Sequence, residues 1–231
     1  MLRAQTRPVH KILLAEGAKN PRISELIDLA RASNIPIERV SGNTLDQLTR
    51  NNKHQGVVAV VAVKSFLDEE ELLAHLTPTS VLVILDEVED PHNLGAIIRT
   101  AHCAGADAVV ITKHRSAGLS EVVAKASAGA IEYLPVVRVT NLVSFFERLK
   151  EADVRVIGVD PAGGSTYNRY PYTRPLALVF GGEGKGLRRL TRERCDERLS
   201  IPLRGKIDSL NVSVAVGVVL FEVLRQREQR K

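Results

Sequence analysis

The segment Ile201-Pro-Leu-Arg-Gly-Lys-Ile-Asp-Ser-Leu-Asn-Val-Ser-Val-Ala215 decides how this chain is read. Pro202 and Gly205 interrupt regular structure, Ser209, Asn211 and Ser213 alternate with apolar residues, and a largely apolar run from Val214 to Leu224 follows. Ser and Asn cap helices well because their side-chain oxygens accept hydrogen bonds from unpaired N–H groups of the first turn. One cap needs one such residue, so a helix over 212–228 leaves polar side chains free to face a ligand. A helix N-terminus also favours anionic groups. An ordinary capped C-terminal helix would carry the same pattern, and the rest of the chain must choose between the two.

Two other segments bear on that choice. Asp86-Glu-Val-Glu-Asp-Pro-His-Asn-Leu-Gly-Ala-Ile-Ile-Arg-Thr100 and Leu178-Val-Phe-Gly-Gly-Glu-Gly-Lys-Gly-Leu187 each begin at the end of an apolar, strand-like run. From Val81 onward strands are expected at 81–86, 108–112, 133–137, 154–159 and 176–180. Helices are expected near 94–104, 119–128, 141–151, 187–194 and 212–228. Such alternation implies an α/β fold, with a parallel sheet covered on both faces. Ligands on such sheets bind beyond the carboxyl ends of strands, where the first two of these segments begin.

Gly181-Gly-Glu-Gly-Lys-Gly186 is not a P-loop, since Lys185 is followed by Gly186 rather than Ser or Thr, and it does not fit GxGxxG. Its glycines permit close backbone approach to a flat ligand and φ values other residues avoid. A Gly-rich turn would explain them equally well.

The first quarter of the chain reads differently. Strands are expected at 11–16, 37–40 and 56–63, a helix from Pro21, and a short helix over 44–50 capped by Thr or Asn. Residues 1–65 hold ten Lys/Arg against five Asp/Glu, which is the whole net charge of +5. Charge asymmetry of this kind suggests a polyanionic partner. An acidic run, Asp68-Glu-Glu-Glu71, most simply a solvated face, and a breaker cluster, Thr77-Pro-Thr-Ser80, then read as a linker with a short helix over 66–80, ahead of a second domain over 81–231.

Composition limits the remaining chemistry. At 231 residues and 44% hydrophobic the chain has material for a sizeable core. No long uncharged apolar run suggests a membrane span, and the first residues lack a signal-peptide apolar core. Two cysteines, Cys103 and Cys195, and six scattered histidines give no metal-ligand spacing, so no metal is expected, and the thiols read as buried. Aromatic residues are only 4%, which favours recognition of nucleic acid by charge and shape over base stacking. Arg188, Arg189, Arg192, Arg194, Arg198, Arg204 and Lys206 form a second basic cluster, interleaved with Glu193, Asp196 and Glu197.

The three segments, in this order, resemble the motifs of the SpoU or TrmH family of SPOUT RNA 2′-O-ribose methyltransferases. Lys53-His-Gln-Gly-Val57 extends the resemblance into the N-terminal part, and argues for members that act on rRNA. Within the family the chain most resembles those that methylate a guanosine of 23S rRNA. The resemblance implies an L30e-like RNA-binding domain over 1–65 and a SPOUT domain whose C-terminal segment is threaded as a trefoil knot. It implies S-adenosyl-L-methionine as cofactor, held at Gly181, Ile201 and Leu210, with Asn93, Arg99, Glu183, Ser209 and Asn211 as active-site residues. Arg99 is the family's usual candidate base, which sits badly with a guanidinium that stays protonated in proteins. An anchor for the target phosphate is the other reading. Glu183 is expected to fix an arginine. A cytoplasmic homodimer is implied, each site borrowing from the partner chain, with Val216, Val219, Leu220 and Val223 as candidate contacts. A tRNA methyltransferase and a non-catalytic RNA-binding assembly protein are the alternatives. The Tyr-Gly-x-x-x-Val segment usual ahead of the first strand is not seen.

Overall fold

The computed structural model describes residues 2, 4, 6–18, 21–49, 54–184 and 186–229. The chain divides into two compact units, Met1–Ser65 and Phe66–Lys231.

In the first unit, β1 (Val9–Ala15), α1 (Pro21–Ala32), β2 (Ile37–Val40), α2 (Gly42–Leu48) and β3 (Val57–Val61) follow one another. The sheet order is β2-β1-β3, with β2 parallel and β3 antiparallel to β1. Ile12 and Leu14 of β1 pack on Ile23 and Ala30 of α1. Ser41, not Thr or Asn, caps α2: its Oγ accepts from Thr44 N at 3.2 Å. His54 Nδ1 accepts from Gly56 N (3.0 Å), which leaves Nε2–H to donate to Asp46 (3.1 Å). Gln55 and Gly56 follow at positive φ, 53° and 82°. The His54-Gln-Gly56 part of that motif therefore builds the turn into β3; Lys53 lies outside the described residues.

The second unit opens with α3 (Glu69–Ala74). It continues through β4 (Val81–Asp86), α4 (Pro91–Cys103), β5 (Ala108–Thr112), α5 (Glu121–Ala126), β6 (Val136–Val139), α6 (Leu142–Glu151), β7 (Arg155–Val159) and β8 (Ser165–Thr166). β9 (Leu176–Gly181), α7 (Arg189–Arg194), β10 (Glu197–Ser200) and α8 (Val212–Glu228) complete it. Seven strands pair in the order β6-β5-β4-β9-β7-β10-β8, every pairing parallel. All six residues of β4 are buried. Alternate side chains point to opposite faces of a strand. Val81, Val83 and Leu85 accordingly join the core beneath α4, α5 and α8, and Leu82 and Ile84 join the core with Phe145, Phe146 and Leu149 of α6.

Several expectations are corrected here. Residues 66–80 belong to the second unit. Leu67 bridges Val137 in parallel, Leu72 is buried, Asp68 caps α3, and Glu69 and Glu70 both pair with Arg148, Glu69 at 2.6 Å. The acidic run is thus docked rather than merely solvated. β6 starts at Val136 instead of 133, because Ala130–Glu132 form a 3-10 turn and Pro135 has no N–H to give a ladder. Val216, Val219, Leu220 and Val223 are at most 2% exposed. They pack in the protomer's own core and are not free to meet a partner; Val214 and Phe221 are the half-exposed apolar residues of α8. Cys103 is exposed, and only Cys195 is shielded.

Two consequences are measurable. A Cβ on Gly95 of α4 would collide with Ala126 Cβ and stand 2.9 Å from Val123 O of α5. Gly95→Ala should therefore force the helices apart and cost about 1–3 kcal/mol, read as a lower urea midpoint. Burial pushes the Cys195 thiol up to about 12, and its Sγ donates to Thr191 O (3.2 Å). At pH 8 the folded protein should titrate one thiol with a disulfide reagent and the unfolded chain two. The unfolded thiol ionises first, so this stabilising contribution is present below pH ~9 and fades as pH rises toward 12.

Candidate cofactor and active site

β7, β9 and β10 run in parallel, so the loops after Val159, Gly181 and Ser200 leave the sheet on one side. With the start of α8 they line a cleft of about 670 Å³. The loop after β9 is shaped by its glycines in two ways. Gly184 and Gly186 have φ of 75° and 61°, the left-handed region that glycine enters without penalty. Gly181 and Gly182 have ordinary φ but no room: a Cβ on Gly181 would collide with the backbone of Gly186 and Leu187, and one on Gly182 with Glu87 O. Gly182 N donates to Asp86 O (2.8 Å) and Gly186 N to Gly182 O (3.2 Å), which folds the loop back on itself.

Two buried aspartates brace this region. Asp86, at the end of β4, accepts from Arg188 N (3.1 Å) and Arg188 Nε (2.6 Å). Asp160, after β7, accepts from Arg192 Nε (2.8 Å) and caps its own turn through Ala162 N (2.8 Å). Arg192 also donates to Leu187 O (3.3 Å). Charge-assisted bonds of this kind are among the stronger ones, and they fix where the Gly loop ends. Asp160 and Arg192 line the cleft. Sequence reading finds Arg192 only as one of the second basic cluster and misses Asp160, since nothing local marks Asp160-Pro161 as more than a turn. The second basic cluster is largely spent in the same fashion: Arg188 and Arg192 as above, Arg189 on Glu193 (2.9 Å), Arg194 on Glu147 (3.1 Å).

Asp90 caps α4, accepting from His92 N at 2.8 Å. That frees the buried Asn93 for a longer reach. Its Nδ2 donates to Glu183, and its Oδ1 accepts from Asn211 Nδ2 at 3.0 Å. Asn211 caps α8, its Oδ1 accepting from Ser213 N (2.9 Å) and Ser213 Oγ (2.6 Å). A continuous chain, Asn211 to Asn93 to Glu183, so ties the starts of α8 and α4 to the Gly loop. Glu183 is held by an asparagine rather than by an arginine. Of the site residues expected from sequence, Gly181, Glu183, Ile201, Ser209, Leu210 and Asn211 line the cleft, and Asn93 joins by hydrogen bond. Arg99 does not. Six residues along α4 from Asn93 turn the side chain by about 120°. Arg99 is exposed and makes no hydrogen bond or ion pair among the described residues.

The cleft suits a nucleoside-sized ligand with a charged tail. Its walls are apolar at Val159, Ile201, Leu210, Val212 and Ala215, with exposed backbone on the Gly loop and a few convergent polar groups. Among the described residues no group of three or more His, Cys, Asp or Glu is placed to hold a metal ion. No helix among them is long and apolar enough to cross a membrane.

Residues 80–221 match the SpoU rRNA Methylase family, and residues 1–67 match the RNA 2′-O ribose methyltransferase substrate-binding family. The chain belongs to the SpoU rRNA methylase family. Among its relatives, 23S rRNA (guanosine-2′-O-)-methyltransferase RlmB of Pseudomonas aeruginosa is 44% identical over 230 residues, 98% of this chain and 92% of that protein. A TrmH family tRNA/rRNA methyltransferase of Bacillus subtilis, YacO, is 43% identical over 96% of this chain and 90% of its own. The SpoU methyltransferase AviRb of Streptomyces viridochromogenes, solved with AdoMet, superposes with a TM-score of 0.83 at 26% identity, covering 99% of this chain and 87% of that one. Family membership places the three quoted segments in one context. The Gly loop and the α8 cap are parts of one cleft, not a turn and a helix start that happen to share a chain.

Proposed function

We propose that the chain methylates the 2′-hydroxyl of a ribose, that of a guanosine in 23S rRNA, with S-adenosyl-L-methionine as methyl donor. The observation that carries this is the convergence of Gly181, Glu183, Ile201 and Leu210 on one cleft, with Asn93 and Asn211 hydrogen-bonded at its edge. Relatives above 40% identity that bear this activity in their names support it.

The Gly181–Gly186 loop, Ile201 and Leu210 would hold the cofactor through backbone groups and apolar packing. Bound there, it would supply an electrophilic methyl group for the ribose oxygen. The chain's own task is orientation and charge. Asn93 and Asn211 would keep Glu183 and the α8 cap in fixed positions, and Ser209, exposed on the cleft wall, would meet the ribose. Arg99 would grip the target phosphate and stabilise the emerging alkoxide as a cation. Its distance around α4 from the Asn93 chain supports supply in trans, within a homodimer. The half-exposed Val214 and Phe221, with Ile207, replace the buried Val216, Val219, Leu220 and Val223 as the expected contact.

Residues 1–65 would bind RNA and 66–231 carry out methyl transfer, the latter threaded as the family's trefoil knot. Changing Lys11, Lys19, Arg22, Arg39 and Lys53 to Gln should flatten the salt dependence of RNA binding by roughly 0.7–0.9 in slope per lost phosphate contact. Cofactor affinity should stay unchanged. The proposal as a whole is tested by calorimetric titration with S-adenosylhomocysteine and by ribose-methylation mapping of rRNA and tRNA in a deletion strain. Loss of one methyl from 23S rRNA is the expected result; loss from tRNA alone moves the substrate. No saturable cofactor binding removes the reading.

A further inference from the structure

A second cleft, of about 630 Å³, opens at the β8 edge of the large sheet and shares no lining residue with the cofactor cleft. Arg155, Arg169 and Arg174 line it, with Ser165, Thr166 and Thr173 between them. Arg155 is the first residue of β7, whose last residue, Val159, lines the cofactor cleft. Four steps of about 3.3 Å put roughly 13 Å of strand between the two levels.

The wall is built firmly. Arg227, near the end of α8, donates to the carbonyl oxygens of Tyr172 (3.2 Å), Arg174 (2.8 Å) and Thr79. Tyr172 Oη donates to Tyr167 O (2.7 Å), and the Tyr170 ring stands edge-on to that of Tyr172, centroids 5.2 Å apart. So the 167–174 segment is pinned from below while its arginines stay outside. Arg155 and Arg169 are exposed, with no hydrogen bond or ion pair among the described residues. Arg174 is 56% exposed, and its carboxylate neighbour, Asp153, is 3.8 Å away. Glu197 also lines the cleft and offsets one charge. The Thr166 hydroxyl is buried in the wall without a hydrogen-bond partner.

Unspent guanidinium groups on a braced segment, interleaved with hydroxyls, make the donor set that phosphate oxygens select. We propose that this cleft binds the sugar–phosphate backbone of the substrate RNA, at a site separate from the one where the methyl is transferred. The inference rests on the RNA methyltransferase reading. It adds to that reading a second hold on the RNA, made by the methyltransferase unit itself. An exposed sheet edge and an open cleft fit a continuous strand better than a free anion.

The double variant Arg155→Gln/Arg169→Gln tests it in the full-length protein, with transcribed 23S rRNA, a synthetic RNA hairpin and tripolyphosphate as probes. The slope of log affinity against log salt should fall by about 1.4–1.8, two contacts' worth, and the KM for RNA should rise roughly tenfold at physiological salt. kcat, S-adenosylhomocysteine affinity and melting temperature should hold, and Glu197→Gln should shift RNA affinity the other way. An unchanged slope and KM on RNA that the wild type methylates overturns the cleft but leaves the enzyme. Lost tripolyphosphate binding with unchanged RNA binding makes it a small-anion site and overturns the proposal as well. A wild type that binds no RNA overturns both.

Discussion

Gly181→Ala is expected to abolish measurable S-adenosylhomocysteine binding and to cost the fold about 3 kcal/mol, the upper end for a forced overpacking. The reason is the identity of the obstructing atoms. A Cβ at 181 would collide with the main chain of Gly186 and Leu187, not with a side chain that could rotate away. Nor can the strand retreat, since Gly181 closes the register with Asp86 on the fully buried β4. The loop must therefore yield, and it is held by Gly182 N on Asp86 O and by Arg188 on the Asp86 carboxylate. Gly184→Ala is the contrast. Nothing lies within 4 Å of its Cβ position, and its cost is the positive φ of 75° alone, roughly 1–2 kcal/mol. That variant should bind cofactor within a few-fold of wild type. Calorimetric titration and urea unfolding of both proteins separate the cases. Gly181→Ala binding within tenfold of wild type would show that the loop does not cradle the cofactor.

What the sequence disclosed follows from burial. β4 and β5 are covered on both faces, so they read as apolar runs over 81–85 and 108–111, and their bounds are legible to the residue. β10 is four residues long with only Leu199 fully buried, and it carries no pattern to find. The partner of Glu69 and Glu70 is Arg148, 78–79 residues away, which is why an acidic run that docks α3 looks like a solvated linker. The α8 valines show the converse. Periodicity reveals an apolar stripe but not what covers it, and here the cover is the protomer's own core, beneath α4. The candidate cleft was legible in the residue types and order of its Gly loop and α8 cap. Its wiring was not: Asn93 reaches Glu183 across 90 positions and Asn211 across 118, and Arg192 reaches Asp160 across 32.

Arg99→Ala should lower turnover by about 10²–10³ while leaving the folded protein otherwise unchanged. Both halves come from its position. Arg99 is exposed and unpaired among the described residues, so its removal should move stability by no more than ~0.5 kcal/mol. It lines no part of the cofactor cleft, so S-adenosylhomocysteine affinity should stay within a few-fold. Arg99→Lys then reports its task. A point charge gripping phosphate is partly restored by lysine, whereas a planar, two-pronged contact is not. The same residue tests the assembly. In a two-fold dimer with sites shared between chains, Arg99→Ala supplies an intact Gly loop and Gly181→Ala supplies an intact Arg99. Refolding the two inactive variants together at equal amounts makes half the dimers mixed, each with one complete site, and should return about a quarter of wild-type turnover. If Arg99 serves the cleft of its own chain, every site in the mixture lacks either the arginine or the loop, and the mixture stays inactive. Activity in Arg99→Ala alone, at near-wild-type single-turnover rates on 23S rRNA, would assign the charge stabilisation to another residue.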